Sequence, residues 1–149
     1  MKKLLFLFLL FSLFSSCKDK PAKGLGLTTK NQFFPCPKNP NCVSSFENPK
    51  NEKNFIRPIK FLGQKETIIK KLVTLIENNP NAKIVEKKEN YIRAEYTSPF
   101  FKFVDDIQFY FGEKNIIHIK SSSRVGYSDF GKNKQRVKEI ELTLQQESE

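Results

Sequence analysis

The sequence predicts an α+β domain: an antiparallel sheet of about five strands with two helices packed on one face. Three observations carry this. Two pairs of segments alternate apolar and polar residues across short turn sequences, and two other segments repeat apolar residues at helical spacing. Their order (strand, helix, four strands, helix) lacks the regular strand–helix alternation of a parallel sheet.

Phe55-Ile56-Arg57-Pro58-Ile59-Lys60-Phe61 reads as a short strand. Pro58 has no N–H to give to a ladder, so it places this strand at an edge or interrupts it. Gln64 to Asn78 reads as a helix, with Ile68, Ile69, Leu72, Val73 and Ile76 on one face and Asn78-Asn79-Pro80 as its stop. Strands follow at Lys83–Lys87 and Tyr91–Thr97, turned by Lys88-Glu89-Asn90. A second hairpin joins Ile107–Phe111 to Ile116–Ser122 around Gly112-Glu113-Lys114-Asn115. Alternation puts Ile107, Phe109 and Phe111 on one face, with Ile117 and Ile119 turned to the same core. A closing helix covers Lys132 to Gln145, where Val137, Ile140 and Leu144 form a narrow apolar stripe. Phe33 to Lys53, rich in Pro and Asn, reads as irregular.

Ahead of this domain lies an address. Met1-Lys2-Lys3 is a basic start, Leu4 to Phe14 an apolar run of eleven residues, and Ser15-Ser16-Cys17 a small-residue exit. That is the build of a secretory signal peptide. As a helix the run would reach only ~16 Å, about half of a hydrocarbon core of roughly 30 Å. Leu13-Phe14-Ser15-Ser16-Cys17 resembles a lipobox, with Phe14 where an aliphatic residue is usual. It implies acyl chains, palmitate among them, on Cys17, and several chains hold a protein on a membrane where one holds it marginally. The expected organisation is therefore residues 1–16 as signal peptide, 17–32 as lipidated Cys17 and a Lys-, Pro- and Gly-bearing flexible tether, 33–145 as the domain and 146–149 as a tail. The expected location is the bacterial cell envelope, with the domain outside the cytoplasm and a membrane as partner through the lipid.

Loss of Lys2 and Lys3 lowers the net charge from +10 to +8. Four of the basic residues are Arg (Arg57, Arg93, Arg124 and Arg136) and the others are Lys spread along the chain. Export and the lack of an Arg-rich stripe argue against nucleic acid as a partner; a solvated basic surface, or attraction to anionic headgroups or glycans, accounts for the charge. With Cys17 assigned to lipid, Cys36 and Cys42 remain in Cys36-Pro37-Lys38-Asn39-Pro40-Asn41-Cys42. Outside the cytoplasm a disulfide is the expectation for such a pair. A metal would need four ligands, and no His or further Cys lies nearby, so neither metal nor cofactor is expected.

Two segments carry more polar groups than a strand end needs: Phe103-Val104-Asp105-Asp106-Ile107, and Ser121 to Arg136 with Ser-Arg-x-Gly-x-Ser-Asp-x-Gly-x-Asn-x-x-Arg. Together with Cys36-Pro37 and Pro40-Asn41-Cys42-Val43-Ser44-Ser45, they resemble the family catalogued as domain of unknown function 1499. The resemblance runs from about Cys36 to Leu144. It implies the limits of the fold and the importance of these residues, and it supplies no activity.

Asp105, Asp106, Ser121, Ser123, Arg124, Ser128, Asp129, Asn133 and Arg136 are thus the candidate cluster, with two readings. In one, Ser128 or Asp129 caps the last helix, Arg124 pairs with Asp105, Asp106 or Asp129, and the whole fastens helix to sheet. In the other, Arg124, the serines and Asn133 at a helix N-terminus hold an anionic envelope ligand or a protein partner. Asp105 and Asp106 should point to opposite faces of their strand, which argues against a carboxylate pair. The lone His118 is expected on the polar side of its strand and solvated. The function that follows is a non-enzymatic lipoprotein binding a ligand or partner through Arg124–Arg136. The alternative is a hydrolase or transferase acting on an envelope component, with Asp105 or Asp106 as base beside Arg124.

Overall fold

The computed structural model describes residues 24–146; the expected signal peptide, the expected lipidation site Cys17 and residues 147–149 lie outside them. The chain runs β1 (Cys42–Ser44), β2 (Ile59–Lys60), α1 (Lys65–Glu77), β3 (Ala82–Lys88), β4 (Tyr91–Thr97), β5 (Val104–Glu113), β6 (Ile116–Ser123) and α2 (Lys132–Gln146). All pairings between these strands are antiparallel, in the order β1-β6-β5-β4-β3, with β2 also on β6. The α+β arrangement expected from the periodicities is the one that forms.

Side chains of alternate residues divide the sheet into two faces. Val43, Ile92, Ala94, Ile107, Phe109, Ile117 and Ile119 turn to the face that receives Ile68, Leu72 and Ile76 of α1 and Val137, Ile140 and Leu144 of α2. Most are completely buried, and burial of each such aliphatic or aromatic side chain contributes about 1.5–3 kcal/mol.

The N-terminal third departs from expectation. Cys42–Ser44, read as irregular, is a strand whose register sets Cys42 against Ser122 and Ser44 against Lys120. Three residues are too few for an alternation to show. The strand read over Phe55–Phe61 contracts to Ile59–Lys60, because Pro58 cannot extend the ladder. Cys36 and Cys42 form a disulfide with Cα atoms 5.7 Å apart. Asn54 holds the same segment by giving its amide to the carbonyls of Asn39 and Cys42.

The tether expected to run to Gln32 is tied down over its described part. The Gly26 N–H donates to Gln108 Oε1 at 2.7 Å, Leu27 bridges Phe33, and Lys120 Nζ donates to the carbonyls of Gly24 and Phe34 at 3.2 and 2.7 Å. This strap covers the second face of the sheet, which carries the polar residues of β4, β5 and β6. His118, expected to be solvated, is buried. It lies on the expected side of its strand but is only 7% exposed, because Phe46 stacks on its ring with centroids 3.9 Å apart.

Candidate functional site

The candidate residues separate into two clusters on opposite faces, and the divide falls between Asp105 and Asp106. On the strap side, Asp106 is fully buried. Arg124 grips it with both prongs, Nε to Oδ2 at 2.7 Å and Nη2 to Oδ1 at 2.9 Å. Arg93 Nη1 adds a third bond to Oδ1 at 3.1 Å, and Arg124 Nη2 also donates to Glu95. The Arg124 side chain is 7% exposed. Its hydrogen bond to Asp106, then those to Glu95, raise its proton affinity above the usual arginine value against the cost of burial. A planar fork on a buried carboxylate is a strong pairing, and here it is closed off. Of the sequence-stated options for Arg124, Asp106 is the partner; Asp105 and Asp129 are engaged elsewhere.

On the helix side, Arg136 Nη2 donates to Asp105 Oδ2 at 2.7 Å, and its Nη1 donates to Asn133 Oδ1 and Ser121 Oγ at 2.8 and 3.2 Å. Asn133 is completely buried. It accepts from the Ser121 hydroxyl and gives its amide to the Asn41 carbonyl and to Ser123 Oγ. It therefore knots α2, β6 and the residue before β1. The Arg136 guanidinium lies over the Tyr96 ring, 4.8 Å from its centroid, where burial raises the Tyr96 hydroxyl above its ordinary pKa.

Asp129 caps α2. Its Oδ1 accepts from Gly131 N–H, its Oδ2 from Asn133 N–H at 2.8 Å and its carbonyl from Lys132 N–H. Ser128 Oγ takes the Phe130 N–H. The first N–H groups of α2, read as an anion cradle, thus already hold the Asp129 carboxylate. The turn leading into it needs Gly126 at φ 89°, and the Gly126 carbonyl accepts from Asn41 Nδ2 at 2.6 Å.

The helix-side cluster opens into a cleft of about 750 Å³ between the β4–β5 loop and the β6–α2 loop. Asp105, Ser123 and Arg136 line it with Asp129 and Lys132, while Tyr96, Phe101, Phe103, Val125 and Phe130 supply apolar walls. Arg124 and Asp106 are not part of this lining. Phe130 is 94% exposed and Phe101 72%, and Phe130 and Lys102 hold φ of 54° and 55°. A non-glycine residue in that region costs on the order of 1–3 kcal/mol and persists where the surroundings hold it.

The wall residues escaped the sequence reading. Their signal was Pro99-Phe100-Phe101-Lys102-Phe103, an apolar run fitting neither the strand nor the helix period. A second arrangement also escaped it: Ser45 Oγ lies 3.1 Å from His118 Nδ1, and His118 Nε2 lies 3.0 Å from Glu113. The order is that of a nucleophile, base and acid. Ser45 is buried, however, and its Oγ accepts the Ile119 N–H at 3.0 Å, so the trio fastens the loop after β1 to β6. Among the described residues no group of three or more His, Cys, Asp or Glu could hold a metal ion.

The model of the family described as protein of unknown function (DUF1499) matches residues 32–144. The chain belongs to this family. The DUF1499 match takes in the disulfide, the sheet, α1, α2 as far as Leu144, both arginine clusters and the cleft; residues 1–31, Cys17 among them, precede it. No curated protein matches the chain in sequence.

Proposed function

We propose that this DUF1499 protein is a membrane-anchored envelope lipoprotein whose domain binds an anionic amphiphile in the cleft, without turning it over. The observation that carries the binding is the cleft itself. It is an apolar-walled recess with a few convergent polar groups, the usual build of a small-molecule site. The apolar body of a ligand would lie against Tyr96, Phe101, Phe103 and Phe130. Its charged end would meet Lys132 and the outer side of Arg136, whose charge Asp105 partly offsets. The anchor rests on the leader and Cys17. No helix among the described residues is long and apolar enough to cross a membrane.

The geometry gives less to a hydrolase or transferase. Each of the adjacent carboxylates is held by an arginine on its own face, whereas a general base needs a carboxylate free to take a proton and within reach of a substrate.

Anilinonaphthalene sulfonate, an apolar body with one sulfonate, serves as the probe. The exported protein should bind one equivalent saturably, and Phe101→Ser or Lys132→Glu should weaken binding at least fivefold with the thermal melt unchanged. Equal affinity in both variants would remove the cleft as the site. Acyl labelling checks the anchor separately: Cys17→Ser should abolish the label and release the protein from membranes, and persistence of both would sink that half of the reading.

A further inference from the structure

Around the mouth of the cleft, Phe100, Phe101, Phe103, Val125, Tyr127 and Phe130 are all exposed, from 42% at Val125 to 94% at Phe130. They sit on two neighbouring loops at one end of the sheet, beyond the last residue of β4 and of β6. Exposed apolar patches of this kind mark interaction surfaces. Within residues 98–104 and 124–135, Lys102, Arg124, Lys132 and Lys134 face a single acid, Asp129. Arg124 is neutralised in its buried cluster and Asp129 is spent on the helix cap, which leaves three exposed lysines to set the charge of this end.

We propose that this aromatic end docks on a bilayer carrying anionic headgroups, its rings in the interfacial layer and its lysines among the headgroups. The inference rests in part on the anchor reading above. Aromatic side chains favour that layer, and basic residues beside them are drawn to anionic lipid. Lys102 lies between Phe101 and Phe103, and in a dry protein interface its ammonium would need a partner. At a bilayer its stem runs along the rings while the charge stays among the headgroups.

The strap adds a constraint of length. Gly24 is fixed against Lys120, so seven residue steps separate it from Cys17. Seven steps span at most ~25 Å, and a domain lipidated at Cys17 is held close to the bilayer. Lys120 lies four residues before Arg124, about 13 Å along a strand, and the aromatic end is therefore within reach of the surface that holds the lipid.

The test uses the exported protein as the cell processes it, in vesicles carrying a photoactivatable diazirine lipid. With one third phosphatidylglycerol, labelling should concentrate at least fivefold on peptides covering 98–103 and 125–131, and fall at least threefold when phosphatidylcholine replaces the anionic lipid. Phe100→Ser with Tyr127→Ser, two rings outside the cleft lining, should lower the labelling to a similar extent and leave both the melt and sulfonate-dye binding unchanged. Even labelling over the domain of acylated protein overturns the docking proposal, as does a concentration-dependent dimer whose hydrogen-exchange protection maps to these loops. Concentrated labelling of protein that carries no acyl group supports the docking and removes the anchor instead.

Discussion

Asp105 and Asp106 are neighbours in the chain, and each is paired with an arginine from beyond the end of the same strand. Asp106 and Arg124 lie under the strap face, where the carboxylate is fully buried and the arginine side chain 7% exposed. Asp105 and Arg136 lie on the helix face, 14% and 17% exposed, at the floor of an aromatic-walled cleft. The chemistry of the two pairs is nearly the same and their surroundings differ. A sealed pair can only hold the fold together, whereas an open one has a side left for something else. The polar segment that the sequence offers as one cluster is two clusters on opposite faces, one sealed and one open to the cleft.

The widest separation between them should come from truncation. Arg124→Ala leaves Asp106 buried without its principal partner, and breaking a buried pair from one side costs about 3–5 kcal/mol. Urea unfolding should show a midpoint lowered by more than about 1 M at ordinary slopes, and Asp106→Asn a smaller drop. A midpoint equal to wild type for Arg124→Ala would dissolve the contrast.

Lys120 sharpens the strap side by pH. Burial pushes its ammonium down to about 8 from 10.5, with Glu47 pulling weakly the other way. Between those values the unfolded chain holds a proton that the folded chain has released, so stability rises with pH. Below about pH 8 both forms are protonated and the full cost of the buried charge is present. It is relieved through pH 8 and levels off near 10.5, for a gain on the order of 2–3 kcal/mol. Lys120→Met should remove this gain, read as the difference between the two proteins in urea midpoints at pH 7 and pH 10. Parallel pH profiles would show that the charge of Lys120 is not buried.

Arg136→Ala probes the open side. Asp105 loses a partner but keeps some access to water, and the buried Asn133 Oδ1 keeps its bond from the Ser121 hydroxyl, so the expected loss is about 1–2 kcal/mol, less than half that of Arg124→Ala. Sulfonate-dye affinity should fall as well, which Arg124→Ala at temperatures below its melt should not cause. The smallest effect on stability belongs to the rim. Phe101→Ser, at a position 72% exposed, should move the melt by less than the ~0.5 kcal/mol typical of surface changes while still weakening the dye. A large loss of stability there would mean that the rings close a core and do not line a site.

Much of this was legible because it is local. The helix at Lys65–Glu77, the four long strands and the stripe of Val137, Ile140 and Leu144 each repeat at their own period, and the opposed directions of Asp105 and Asp106 follow from the pleat. The cap at Asp129 was legible from its place before the helix. The solvated His118 and the free tether up to Gln32 failed for one reason. Each depended on what would lie over a residue, and Phe46 and the strap are brought there by the rest of the chain.

The sequence by itself determined the order of elements from α1 to α2, the apolar face of the sheet, the pairing of Cys36 with Cys42 and membership of the DUF1499 family. All of these are written in periods, spacings or short motifs. Only the tertiary structure decided that Arg124 closes on Asp106 while Arg136 takes Asp105, that Lys120 is buried under a strap, and that Phe101, Phe103 and Phe130 rim a cleft. The physical reason is distance along the chain. Arg124 meets Asp106 across 18 residues and Lys120 meets Gly24 across 96, and nothing in a local pattern states which face another part of the chain will cover.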